Sequence, residues 1–239
     1  MACCREPTNP NTSKNKNMFN PSNRNRKLLT AAFLSAAFLS CSREHMVPNT
    51  GNDPKFADVS EFHKNKHTPA AFIAASEKLA IPVAVDLPEN LPYGNNRVAT
   101  YYAVGVQKYK AREKAGSYPL AYEWVFVAPQ ADLYDARNAK VGTHGAGPFW
   151  QLSARDSIFG QQFSPAKTSP GEPGSIDWLL LMPKAGTTPT GIFAGVDYIQ
   201  RIATKGGIAP AKPPKKATDM VEVKYQAVYR FTKKNDSTP

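Results

Sequence analysis

The chain has 239 residues, a formal net charge of +11, and 41% hydrophobic and 10% aromatic residues. That apolar content excludes a wholly disordered chain and suits one sizeable domain or two small ones. Its three cysteines are Cys3, Cys4 and Cys41, so no disulfide framework and no thiolate metal site can form after Cys41.

Residues 1–17 are polar and poor in large apolar groups, and Met18 offers a second possible start. Residues 24–27 read RNRK, and 28–40 read LLTAAFLSAAFLS, without a charge, Gly or Pro. A basic stretch followed by an apolar run too short to span a bilayer is the pattern of an export signal. The segment Phe38-Leu39-Ser40-Cys41 resembles a lipobox, the cleavage motif of bacterial lipoproteins. The resemblance implies that Cys41 becomes the first residue and carries the lipid, with a secreted or periplasmic protein as the alternative. Ser42 stands where an inner-membrane retention signal would favour Asp, which points to the outer membrane of a bacterial envelope. Acyl chains contribute roughly 0.8 kcal/mol per buried methylene, so several of them hold a protein on a membrane. Much of the positive charge sits in residues 1–41, which hold six basic residues against Glu6 alone. The remainder is only mildly basic, and reads as a solvated surface rather than a nucleic-acid footprint.

Three parts follow: the extension and signal peptide at 1–41, a polar tether at 42–68, and a single β-rich domain at 69–239. His63 and His67 stand four apart in the tether, with two lysines between them and no third ligand nearby, and read as solvated. Thr68-Pro69 is an N-cap and N1 pair that opens a helix over 69–80. After a proline-rich entry segment the apolar period becomes two. Strands are predicted at 97–109, with Gly105 as a bulge, at 121–129 ending in Pro129, at 176–182 and at 191–204, while 157–163 is short and apolar at both ends. The continuous run IDWLLLM at 176–182 predicts a strand buried on both faces. Residues 131–152 read as a turn, a short strand and a glycine-rich loop, and 164–175 as a loop. The clearest strand is 221–231, with Val221, Val223, Tyr225, Ala227, Tyr229 and Phe231 on a core face and Glu222, Lys224, Gln226, Val228 and Arg230 on a wet one. The expected fold is all-β, a mainly antiparallel β-sandwich or barrel, with one short N-terminal helix.

Candidate chemistry is sparse. GTHGAGPFW at 142–150 holds glycine-rich backbone close to His144 and Trp150 and is the most suggestive stretch. It either presents His144 as a base or ligand contact, or is a turn whose Trp packs in the core. Tyr198 and Gln200 share one strand face, with Ile199 and Arg201 on the other, so this strand either lines a ligand surface or lies at the solvated outside. KPPKK at 212–216 reads as a solvated basic loop. No nucleophile elbow, no metal ligand set and no cofactor motif is present, so no catalytic residue is assigned.

The blocks GVQKY (105–109), W-x-F-x-A-P (124–129), VGTHGAGPFW (141–150), WLLL (178–181), YIQRIATKGGIAP (198–210) and VKYQAVYRF (223–231) occur in order. Together they resemble an exported family of bacteria, fungi and plants known as domain of unknown function three-four-five-five. The resemblance covers roughly 81–232 and implies an extracytoplasmic β-rich domain, without a mechanism. Fungal members are sometimes labelled malate dehydrogenase; no dinucleotide-binding glycine motif supports that label here. The family's usual cysteines are replaced by Ala111 and by the run Lys212, Pro213, Pro214, which implies loss of one disulfide. Ala154, Arg155 and Asp156 replace a usual Asp-Gly-Ser. The expected role is a membrane-anchored module for an unidentified envelope ligand or protein partner, with a hydrolase using His144 as the alternative.

Overall fold

A computed structural model describes residues 68–236. The signal segment, Cys41, the tether histidines His63 and His67, and almost all of the expected tether lie outside the described residues. The described chain is an all-β fold with one short helix, α1 (Pro69–Ser76), and eight strands: β1 (Asn95–Glu113), β2 (Tyr122–Tyr134), β3 (Lys140–Gly145), β4 (Phe149–Ser153), β5 (Asp156–Ser169), β6 (Trp178–Pro183), β7 (Tyr198–Gly206) and β8 (Met220–Lys234). Each strand pairs antiparallel with the next, and β8 returns to pair with β1, so the sheet closes into a barrel. Of the two architectures that the alternation predicts, the barrel is the one formed. Closure removes both sheet edges, and eight strands leave an interior just wide enough for side chains or one small ligand.

The inward positions follow the period-two pattern. In β8 these are Tyr225, Ala227, Tyr229 and Phe231, and in β1 they are Tyr101, Ala103, Gly105 and Gln107, which pair across as Tyr101 with Tyr229 and Ala103 with Ala227. One end of the barrel is closed. A 3-10 turn at Gly191–Phe193 drives Phe193 into it, where the ring lies 4.7 Å from Phe231 and 6.4 Å from Tyr101. Asp156 fixes that turn by accepting from the Ile192 amide at 3.0 Å and from the Ser153 hydroxyl.

The outer face is not uniformly wet. Glu222 and Lys224 are exposed, but Val228 and Arg230 are buried. Helix α1 covers this half of the barrel, packing Ile73 with Tyr102, Ile202 and Val228, and stacking Phe72 on Tyr102 at 4.7 Å. Thr68 caps α1 by accepting from the Ala71 amide at 3.2 Å. The helix ends at Ser76, four residues short of the expected 80. A 3-10 turn at Val83–Val85 continues the cover over Leu180 and Tyr198. This covering segment explains why the run in β6 is apolar throughout: Leu179 and Leu181 belong to the inner cluster, and Leu180 to the outer one.

Four expectations change. Pro129 does not end its strand; β2 runs through it to Tyr134, because Pro129 sits beside the register shift at Lys108/Tyr109, where its missing N–H is tolerated. That shift, rather than Gly105, marks the irregularity within β1 opposite β2. The glycine-rich stretch is not a loop but the β3–β4 hairpin. Residues 164–169 belong to β5, whose register shift between Gln162 and Lys167 absorbs Ser164 and Pro165.

Candidate functional site

The other end of the barrel is open. A cavity of about 210 Å³ enters there, walled by Phe126, Val127, Pro129, Leu179 and Leu181, with Gln107, His144, Trp150, Arg201 and Tyr229 at its polar side. Phe126 and Val127 are about half exposed and form the rim.

His144 stands on β3 facing inward, opposite Ala131 of β2 and Trp150 of β4. It is 3% exposed. Its Nδ1 lies 2.7 Å from the Phe149 carbonyl, which can only accept, so Nδ1 carries the proton and donates. The Nε2 lone pair then accepts from the Tyr229 hydroxyl at 3.1 Å. The ring stacks on Trp150 at 4.6 Å and 15°, and meets Tyr229 at 4.9 Å. Burial pushes its pKa down to about 3, with the Arg201 charge in the same direction and the Phe149 carbonyl opposing. His144 is therefore a neutral ring at physiological pH.

Trp150 is fully buried and fills the barrel's middle layer. It can do so because Gly160 lies opposite; a Cβ there would stand 3.0 Å from Trp150 Cζ3. Tyr229 and Tyr225 are buried phenols whose pKa values are raised, first by loss of water. The Trp150 Nε1 has no hydrogen-bond partner, and the same holds for Gln107 Nε2, whereas the Tyr225 and Tyr229 hydroxyls lie in reach of each other.

Arg201 shares the inner face of β7 with Ile199, opposite Leu179 of β6 and Tyr229 of β8. Its Nε and Nη2 both donate to the Asp177 carbonyl, at 3.1 and 2.7 Å. That carbonyl is itself held in place. Ile176 donates to Gly206 at 2.9 Å and accepts from the Thr204 hydroxyl at 2.5 Å, and the Gly206 amide donates to the Ser175 hydroxyl. Arg201 forms no ion pair among the described residues.

The structure thus brings His144, Trp150 and Arg201 together and separates Tyr198 and Gln200 from them. The latter two point outward yet are buried: Gln200 Nε2 donates to the Val85 carbonyl at 2.8 Å, and Tyr198 packs with Val85 and Leu180. Both attach the covering segment. Sequence reasoning missed Gln107 as a site residue. Its signal is a polar side chain interrupting the inward series Tyr101, Ala103, Gly105, Gln107, Tyr109. Asp156 serves the closed end. Ala111, where the resemblance implies a lost cysteine, pairs with Trp124, whose indole donates to the Lys212 carbonyl at 2.9 Å. The hydrogen bond thus joins the strand neighbour of Ala111 to the 212–214 run. Among the described residues no group of three His, Cys, Asp or Glu is placed to hold a metal ion, and no helix is long and apolar enough to cross a membrane.

Over residues 92–233 the chain matches the family model described as "Protein of unknown function (DUF3455)". No curated protein and no solved structure matches it.

Proposed function

We propose that this chain, which belongs to the DUF3455 family, is an exported lipoprotein, lipid-anchored through Cys41 at the bacterial outer membrane, whose barrel binds a small ligand. The observation that carries the binding role is the cavity at the open end: apolar walls with a few convergent polar groups, the usual make-up of a small-molecule site. Its floor is held by strands rather than mobile loops, so the polar groups are in place before any ligand arrives.

A hydrolase using His144 finds no support in the geometry. Both ring nitrogens are engaged, by Phe149 and Tyr229, and neither contacts an Asp, Glu or Ser. Activation of a nucleophile requires a base beside it, and a ring with a pKa near 3 is a poor one at neutral pH.

Two measurements test the two halves. Metabolic labelling with a palmitate probe is expected to mark the wild-type chain and not Cys41→Ser; equal labelling of both refutes the anchor. A thermal-shift screen of the full chain against small organic molecules is expected to find compounds that raise the melting temperature in a dose-dependent way. A diverse panel of anions, neutrals and cations with no such compound refutes the binding role.

A further inference from the structure

Resting on the binding role above, we propose that the cavity takes a compact monocarboxylate with a flat apolar body, its carboxylate on Arg201 beside Gln107 and its body against Phe126, Leu179 and Trp150.

Charge carries the first step. Arg201 is the only charged side chain lining the cavity, and no Asp or Glu lines it. Its neighbours there cannot balance it. His144 is neutral, and the Tyr225 and Tyr229 phenols, both buried, keep their protons. The guanidinium has a fork of five N–H groups, and the Asp177 carbonyl takes one from Nε and one from Nη2. The Tyr229 hydroxyl also stands in hydrogen-bond reach of the guanidinium; the N–H groups left over remain for a carboxylate, with the side chain already held in one orientation. Such pre-positioning removes ordering cost at the moment of binding.

Gln107 carries the second step. It is 2% exposed, lines the cavity and has an amide nitrogen without a partner. A buried unpaired donor is costly, so an acceptor placed there recovers stability as well as affinity. Together the two residues offer donors and a positive charge, which an amine or other cation would leave unanswered.

Size and wall chemistry carry the third. A dry cavity of about 150 Å³ holds benzene, so about 210 Å³ admits one ring with a small substituent. Apolar walls on most sides disfavour an inorganic anion that must keep its water, and a single cation disfavours a dianion.

Calorimetry on the full chain with benzoate, benzamide, benzylamine and inorganic phosphate tests this. Benzoate is expected to bind at least about tenfold more tightly than benzamide, as one charge-assisted pair requires, and benzylamine and phosphate to bind more weakly still. Arg201→Gln is expected to erase the preference for benzoate over benzamide, Arg201→Lys to keep part of it, and Gln107→Leu to weaken benzoate. Benzamide or benzylamine binding as well as benzoate, with Arg201→Gln indifferent, overturns the carboxylate assignment while leaving a binding barrel. Binding of phosphate in preference to benzoate overturns the flat apolar body. Failure of all four probes, with a positive result in the broad thermal-shift screen, overturns this inference alone; failure of both overturns the binding role too. If Arg201→Gln does not fold, as judged by its melting curve, the benzoate-to-benzamide ratio on the wild-type chain decides.

Discussion

Lowering the pH from 7 to 5 is expected to destabilise the barrel by about 2 kcal/mol through His144 alone. The folded ring has its pKa lowered from 6.5 to about 3, mainly because it is buried. Protons therefore bind the unfolded chain first, and protonation favours unfolding. The contribution is complete above about pH 6.5 and is lost as pH falls toward 3, at about 1.4 kcal/mol per pH unit. Between pH 7 and pH 5 the unfolded ring passes from mostly neutral to almost wholly charged, while the folded ring stays neutral, which integrates to about 2 kcal/mol. Because pH 5 is well above the folded value, the magnitude depends little on where near 3 that value lies. Carboxylates held low, such as Asp156 by the Ser153 hydroxyl and the Ile192 amide, change charge only at more acid pH. The assay is urea denaturation of the full chain followed by tryptophan fluorescence at both pH values. His144→Asn, which retains a donor for the Phe149 carbonyl, is the control; it also holds His45, His63 and His67 constant. It should be less stable at pH 7, through lost stacking, yet nearly flat between the two pH values. A wild-type loss no larger than that of His144→Asn refutes the buried neutral ring.

Phe193→Ala is expected to cost about 3–5 kcal/mol in the same assay, since it empties the closed end beside Phe231 and Tyr101; a loss under 1 kcal/mol would mean that the 3-10 turn does not plug the barrel. Arg230→Met is expected to cost no more than about 1 kcal/mol, although Arg230 is buried and its Nη2 reaches the Ser76 carbonyl at 2.8 Å and Glu77 at 3.2 Å. The guanidinium gives up water, leaves Nε without a partner and lies near Arg97, while Glu77 keeps Arg97 as a second partner. A loss of 3 kcal/mol or more would show that this ion pair is what fastens α1 to the barrel.

The strands that read most clearly in the sequence are those whose inner faces are apolar without interruption. β8 is the best case, with its core face assigned residue by residue from alternation alone. The run in β6 was equally legible, because burial on both faces leaves no polar position. Two kinds of information were hidden. Strand closure depends on β1 meeting β8 across more than a hundred residues, and alternation carries no pairing information. Glycine and proline composition also misled where the backbone is crowded rather than turning. A Cβ at Gly142 would strike the Gln151 carbonyl oxygen across the hairpin, so glycine there permits close strand approach. The glycine-rich loop expected within 131–152 follows from that composition, and with it the placement of His144 on a loop. The faces of β7 were divided correctly by alternation, with Tyr198 and Gln200 opposite Ile199 and Arg201. Which face looked inward was hidden, since the covering segment buries the outer one as thoroughly as the barrel buries the inner one.

The distribution of polar groups separates the two ends of the barrel. At the closed end the interior is apolar and aromatic, built from Leu133, Ile158, Phe193, Ile199 and Phe231. Toward the open end it acquires Gln107, His144, Arg201, Tyr225 and Tyr229. Stability alone does not call for these residues. An unpaired Gln107 amide and an imidazole driven far from its ordinary pKa each make the fold less stable than apolar residues of similar volume would. Sequences that depart from the rules of stable packing tend to do so where function requires it. Here the departures gather beside the cavity at the open end, around a guanidinium that the surrounding backbone holds but no carboxylate neutralises. That coincidence of cost, position and uncompensated charge, rather than the presence of a histidine, locates the site.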